Sequence, residues 1–218
     1  MQRGVPTSPR SFGTDVFGVL LRDRSESCSI EPDAARGMRP RSGSVECPCN
    51  QKAERPMSTL PGMTTGPERL MLEQMLDRNR QALIDTARGL SEAEVRRRLV
   101  VSLTTPIGLI KHAAFAERRW FQRILLGLDE SECDGYAIPD EGSFLVPDGE
   151  TLDDVIAEFE RASDRSRRIA ADFDLDDTGT HPSAGDVSLR FVYLLLIEEF
   201  ARHAGHGDIL REQITAAR

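Results

Sequence analysis

The sequence predicts an all-α protein, a four-helix bundle with one long crossover loop. Four segments after residue 67 repeat their apolar residues with a period of about 3.6, the pattern of an amphipathic helix. Helix start and stop signals separate these segments, and no strand pattern competes with them. Only one connection, residues 128–150, is long. Amphipathic helices joined in this way bury their apolar faces best by packing against one another as a bundle.

The N-terminal part of the chain differs in composition from the rest. Residues 1–62 contain seven of the twelve prolines, are rich in Arg, Ser and Gly, and show no sustained hydrophobic period. Such a segment buries too little apolar surface to offset the entropy lost on ordering it. We therefore predict a disordered segment over residues 1–62 and the helical domain over residues 63–218. A translation start at Met57 or Met63 would make the upstream segment a misassigned N-terminal extension.

The first two long helices have clear boundaries. Pro67 suits the first turn of the first helix, Gly89 ends it, and Ser91-Glu92-Ala93-Glu94 is a capping box that opens a short helix. Thr105 is the predicted N-cap of the second long helix, which Gly127 ends. The predicted core residues of these two helices are Leu72, Leu76, Leu83, Ala87, Leu109, Ala113, Ala116, Trp120 and Ile124.

The third and fourth long helices lie on either side of a turn-rich segment, residues 176–186. Thr151 and Asp154 cap the third helix. The fourth is predicted over residues 187–216, and His181 before it, in Thr180-His181-Pro182, is predicted to be a loop residue. The third helix has a helical stripe of apolar residues, namely Leu152, Val155, Ile156, Phe159, Ala162, Ile169 and Ala170.

Charge and hydropathy exclude several classes of function. The net charge of −8 argues against a nucleic-acid partner, because phosphate binding needs a basic face. No apolar run reaches the roughly 18 residues that span a bilayer. The four cysteines form no framework of spaced pairs, which favours a reducing, cytoplasmic compartment. A homodimer would be one way to cover an exposed apolar strip on so small a bundle.

Three ionisable residues share one face of the fourth helix. With a step of about 100° per residue and Glu199 at zero, His203 lies at about 40° and His206 at about 340°. They interrupt the apolar line of Val192, Leu195, Leu196 and Leu210, so they are predicted to point into the bundle.

A metal ion would satisfy these buried groups. Burying a carboxylate and two imidazoles is costly unless something pairs with them, and a divalent zinc, nickel or iron ion suits such ligands. His112, on the core side of the second helix, could complete the site. Two alternatives remain: His112 could be a hydrogen-bonded core residue, and the fourth-helix cluster could be a solvated ion-pair face.

The second and fourth helices resemble those of the DinB/YfiT-like metalloenzyme superfamily, in particular its mini-circle-protein branch of unknown function. The resemblance covers about residues 68–216. It is carried by Gly108-Leu109-Ile110-Lys111-His112 with Glu117, Trp120-Phe121 and Gly127, by Ser188-Leu189-Arg190, and by the run from Glu198 to Glu212.

The resemblance implies a ligand set of His112, Glu199 and His203 in a four-helix bundle. His206 stands where many relatives have Gln, so it is a fourth ligand or a neighbour that orients the others. Leu195 stands where close relatives often have another His.

The resemblance also implies a chemistry. Better-known relatives use low-molecular-weight thiols such as mycothiol or bacillithiol in S-transfer or isomerisation. We therefore expect a metal-dependent thiol S-transferase or detoxification enzyme with zinc or nickel, whose partners are a thiol and a small electrophile. Residues 128–150 are a candidate lid. The alternative is a non-catalytic metal-binding or stress-response bundle, since a fold alone does not decide function.

Overall fold

The structure, a computed structural model, describes residues 64–218. The predictions of disorder, of an extension and of an alternative start fall on residues 1–63 and lie outside the described residues. The described helices are α1 (Glu68–Ala87), α2 (Glu92–Val95), α3 (Pro106–Glu117), α4 (Leu152–Ala171) and α5 (Leu189–Ala216). A π-helix (Arg118–Leu125) continues α3, two 3-10 helices follow (Glu130–Glu132 and Glu141–Phe144), and two strands, β1 (Thr178–His181) and β2 (Gly185–Ser188), lie between α4 and α5.

The helix boundaries confirm the capping signals of the sequence. The Thr105 hydroxyl accepts a hydrogen bond from the Gly108 N–H at 3.1 Å and caps α3. Complete capping boxes begin α2 at Ser91 and α4 at Thr151. Gly89 and Gly127 have φ angles of 77° and 70°, a conformation that favours glycine and ends a helix. Local chemistry therefore sets where these helices begin and end.

The four long helices run in two directions. Helices α1 and α5 are parallel, because Glu68 pairs with Arg190 near their starts and the Thr86 carbonyl accepts from Arg211 near their ends. Helix α3 is antiparallel to α5, since His112 meets Glu199 while the ring of Phe121 lies 6.1 Å from that of Tyr193.

Helix α4 runs in the same direction as α3. Lys111 pairs with Glu158, and Ser163 donates to Glu117 one to two turns further along both helices. Parallel neighbours cannot be joined by a short turn, so residues 126–151 must run back along the bundle. They do: Asp134 lies beside Arg118, and Ser143 lies beside His112 near the start of α3. We call residues 126–151 the α3–α4 connection.

The core confirms the predicted all-α bundle. Trp120 and Phe121 are fully buried, as expected for aromatic residues at helical spacing. The core also holds an ion pair, in which the Arg80 guanidinium donates to both oxygens of Glu117 at 2.7 and 2.9 Å. Among the described residues, no helix is both long and apolar enough to cross a membrane.

The predicted absence of strands was wrong. β1 and β2 pair antiparallel, with Thr178 opposite Ser188 and His181 opposite Gly185, so α5 begins at Leu189 instead of residue 187. Strands of four residues are too short for an alternating pattern to stand out from a turn-rich segment. A Cβ on Gly179 would lie 2.0 Å from the Ile124 carbonyl oxygen, so the hairpin packs directly on the π-helix.

The prediction that His181 is a loop residue was also wrong. It ends β1, is buried, and stacks on Trp120 with 5.4 Å between ring centroids. The continuous second helix predicted to residue 127 changes to π-helix at Arg118. Arg118 is buried there with its guanidinium paired to Asp134 and Glu158.

The close approach of α1 and α5 depends on Gly207. A Cβ at this position would lie 2.5 Å from Thr86 Oγ1 and 2.8 Å from Thr86 Cβ. Gly205, on the same helix, has nothing within 4 Å. Both Gly→Ala changes gain the same helix propensity, about 1 kcal/mol, so their difference reports the clash alone.

We expect Gly207→Ala to be less stable than Gly205→Ala by about 1–3 kcal/mol, the usual cost of overpacking a core. Urea unfolding of both variants and the parent measures this difference. Equal free energies of unfolding for the two variants would contradict the close contact.

Candidate metal centre

Two helices bring three of the sequence-predicted residues together. α3 presents His112 six residues after its first residue, and α5 presents Glu199 and His203 one helical turn apart. Residues four apart on a helix lie on the same face, which is why Glu199 and His203 point the same way. One ligand atom from each of the three residues lies within 4.8 Å of the other two. The three donors could therefore hold one metal ion.

The Glu199 carboxylate lies between the two imidazoles. Its Oε1 is 3.3 Å from His112 Nε2 and 2.9 Å from His203 Nε2. All three residues are buried, with exposed fractions of 6% for His112, 7% for Glu199 and 9% for His203. The other oxygen, Oε2, accepts from Arg202 at 3.3 Å. A solvated ion-pair face, the alternative for this cluster, would be exposed.

Burial and hydrogen bonding act in opposite directions on these groups. Burial opposes ionisation of Glu199, but the contacts of its carboxylate with His112 and His203 outweigh it and bring its pKa below the usual value. The pKa of His112 is lowered because burial disfavours the imidazolium. The site thus favours a charged carboxylate beside a neutral His112.

His112 is also held from its other side by the α3–α4 connection. Its Nδ1 lies 2.9 Å from Ser143 Oγ, and the Ser143 hydroxyl donates to the Asp140 carbonyl at 2.9 Å. The Phe144 ring stacks on the imidazole with 4.1 Å between centroids and 8° between planes. The 3-10 helix Glu141–Phe144 therefore fixes both the position and the plane of the His112 ring.

The pattern of donors and acceptors fits a cation between the three residues. Since Ser143 donates to Asp140, it accepts from His112 Nδ1–H, which leaves a lone pair on Nε2 of neutral His112. That lone pair faces the Glu199 carboxylate, and two acceptors at this distance repel each other. His203 Nδ1 is buried and has no hydrogen-bond partner among the described residues. A bound cation would accept the lone pair of His112 Nε2 and neutralise the Glu199 carboxylate.

The other predicted residues lie outside this group of three. His206 is exposed, and its ring centroid is 5.6 Å from that of His203. Its pKa is lowered by partial burial and by the neighbouring His203. Its role as a fourth ligand or an orienting neighbour stays a prediction. Leu195, which also lies on α5, is buried in the core of the bundle.

Sequence reasoning missed Ser143 as a partner of His112. Asp140 caps the 3-10 helix by accepting from the Gly142 N–H at 2.7 Å, a turn signal that can be recognised in sequence. No sequence pattern, however, connects residues 31 positions apart in a loop and a helix. The stacking of Phe144 on His112 was missed for the same reason.

A protein-family model described as mycothiol-S-transferase matches residues 71–216, which include most of α1 and all of α3, α4 and α5. This family belongs to the DinB/YfiT-like superfamily, so the match confirms the resemblance carried by the second and fourth long helices. A comparison with curated proteins finds no match to the chain.

The contact of the 3-10 helix with α3 requires a glycine. A Cβ on Gly108 would lie 2.8 Å from the Phe144 carbonyl oxygen and 2.9 Å from Thr105 Oγ1. Gly149 lies in the α3–α4 connection, where an added Cβ would have no atom within 4 Å, and it serves as a control.

We expect Gly108→Ala to displace the 3-10 helix from α3, lower stability by about 1–3 kcal/mol and speed amide exchange over residues 141–144. Hydrogen exchange with mass spectrometry measures the local effect, and Gly149→Ala should leave it unchanged. Unaltered exchange in Gly108→Ala would contradict this packing.

Proposed function

This chain belongs to the mycothiol S-transferase family, and on that premise we propose that it is a metal-dependent S-transferase. The substrates would be a low-molecular-weight thiol of the mycothiol or bacillithiol type and a small electrophile. The same proposal places the enzyme in the cytoplasm and gives it neither a nucleic-acid nor a membrane partner. A homodimer is also part of the prediction.

The observation that carries the proposal is the buried convergence of His112, Glu199 and His203. An unpaired carboxylate in a core costs several kcal/mol. The main neighbours of the Glu199 carboxylate are two imidazoles, and the pKa of one of them, His112, is lowered. Such a cluster is better explained as a ligand set than as a stabilising feature of the fold.

The ligand types favour zinc or nickel. Two imidazole nitrogens and one carboxylate oxygen suit these ions, and three protein ligands leave a coordination position open, as in catalytic zinc sites. A divalent cation there would lower the pKa of a bound thiol, so that the thiolate is available at neutral pH.

The chain's own residues would position the reactants around this centre. Glu199 supplies the negative charge that keeps a cation in place, and Arg202 holds its second oxygen. Ser143 and Phe144 fix the His112 ring from the side of the α3–α4 connection. Residues 128–150 of this connection are our candidate lid, which would exclude water when the electrophile is bound.

The proposed reaction balances without an oxidant or a reductant. The thiol loses its proton, and its sulfur forms a bond to the electrophilic carbon. The bond from that carbon to the leaving group breaks, and the leaving group departs with the electron pair and takes up one proton. With an electrophile that has no leaving group, the proton is added to the product.

The ligand set is tested by metal content. We expect His112→Ala, His203→Ala and Glu199→Gln each to lose most of the stoichiometric zinc or nickel measured by elemental analysis. Glu198→Gln is the matched control, because Glu198 is the exposed neighbour of Glu199 and also pairs with Arg202. Full metal content in the first three variants would refute the ligand set.

The transfer reaction is tested by turnover. We expect conjugation of a generic electrophile to require both the metal and an added low-molecular-weight thiol, and to stop when a chelator removes the metal. Metal bound at full occupancy without thiol-dependent turnover, across a broad panel of thiols and electrophiles, would favour a non-catalytic metal-binding or stress-response bundle.

A further inference from the structure

We propose that Ser143 is a positioning residue of the metal centre. Through its hydrogen bond to His112 it holds the tautomer that presents Nε2 to the cation, and it fastens the α3–α4 connection over the site. This inference rests on the metal centre of the proposed function, but it does not depend on the transfer reaction.

The direction of the Ser143 hydrogen bonds follows from a count of hydrogens. A serine hydroxyl has one hydrogen to donate, and here the Asp140 carbonyl accepts it at 2.9 Å. The lone pairs of Ser143 Oγ remain, and His112 Nδ1 lies 2.9 Å away. His112 Nδ1 must therefore be the donor. The backbone carbonyl of Asp140, which no side-chain change can remove, thus determines which nitrogen of His112 carries the proton.

The tautomer matters because only an unprotonated nitrogen binds a metal. Neutral imidazole carries its single hydrogen on either nitrogen unless a partner selects one. Without Ser143, the hydrogen of His112 would move to Nε2, where Glu199 Oε1 at 3.3 Å is a ready acceptor. That arrangement satisfies the carboxylate but withdraws Nε2 from the cation. Ser143 therefore keeps His112 Nε2 free to bind the cation instead of donating a hydrogen bond to Glu199.

The same contact joins the α3–α4 connection to the centre. Asp140 caps the 3-10 helix and also accepts from the Tyr136 hydroxyl at 2.5 Å. Phe144 stacks on His112 and stands 6.0 Å, centroid to centroid, from the His203 ring. Because His112 is tied both to the cation and to this helix, metal binding and ordering of the connection must favour each other reciprocally.

The test compares substitutions of Ser143 in the full chain. We expect Ser143→Ala to weaken Co²⁺ and Zn²⁺ affinity, measured by competition with a chelator, about 10–100-fold, the usual effect of losing a hydrogen-bond partner of a ligating His. Ser143→Thr keeps the hydroxyl and should restore affinity to within a few fold. Ser166→Ala is the matched control, since Ser166 is equally buried and its hydroxyl has no partner among the described residues.

A second readout separates positioning from general stability. In the parent protein, added Zn²⁺ should slow amide exchange over residues 140–144. In Ser143→Ala, Zn²⁺ should no longer slow exchange there, while amide exchange in α1 and α5 should be as slow as in the parent. If Ser143→Ala fails to fold, the isosteric pair Ser143→Thr and Ser143→Val makes the same comparison.

Each outcome decides between the two proposals. A parent protein that binds neither Co²⁺ nor Zn²⁺ overturns the metal centre and with it this inference. A parent that binds the metal, with unchanged affinity and protection when the Ser143 hydroxyl is removed, overturns the role of Ser143 alone.

Discussion

The structure depends on one constraint, the parallel direction of α3 and α4. Two adjacent parallel helices need a connection as long as the helices themselves, and residues 126–151 provide it. This segment runs back along α3 and reaches the level of His112 at Ser143. The candidate site therefore lies between two helices on one side and a returning loop on the other. The contact between loop and site follows from the topology of the bundle.

Among the described residues, two carboxylates are buried in the core of the bundle, and their partners differ. Glu117 receives two hydrogen bonds from Arg80, a bidentate pairing that neutralises its charge within the protein. Glu199 has no such partner in the core: it faces two imidazoles, and its one guanidinium contact, Arg202, is partly exposed. Burial desolvates both carboxylates, but only Glu199 faces another acceptor, the lone pair of His112 Nε2. This difference distinguishes a structural ion pair from a candidate ligand set.

The site is also divided between elements of different length and type. Glu199 and His203 lie on one long helix, and their spacing is fixed by its geometry. His112 belongs to a helix that packs beside it, and its ring orientation is set by a short 3-10 helix. Loops that order and disorder easily are the usual carriers of lids in enzymes. In the proposed S-transferase, the contacts of this loop with His112 would link the candidate metal centre directly to the candidate lid.

Much of this could be predicted from the sequence, because the responsible forces are local. The capping boxes at Ser91 and Thr151 and the left-handed glycines at positions 89 and 127 act over a few residues, so their pattern is visible in one dimension. The shared face of Glu199 and His203 follows in the same way from helical spacing. The hairpin was missed because its strands are short and its contact with Ile124 is made across the fold.

By itself, the sequence determined the four long helices, the burial of Trp120 and Phe121, and the residue types of the candidate ligand set. Only the tertiary structure decided that His112 meets Glu199 at 3.3 Å, that His181 packs on Trp120, and that Ser143 holds His112. The physical reason is that burial and hydrogen bonding between distant segments depend on how the helices pack. Helical periodicity does not indicate which loop returns to which helix.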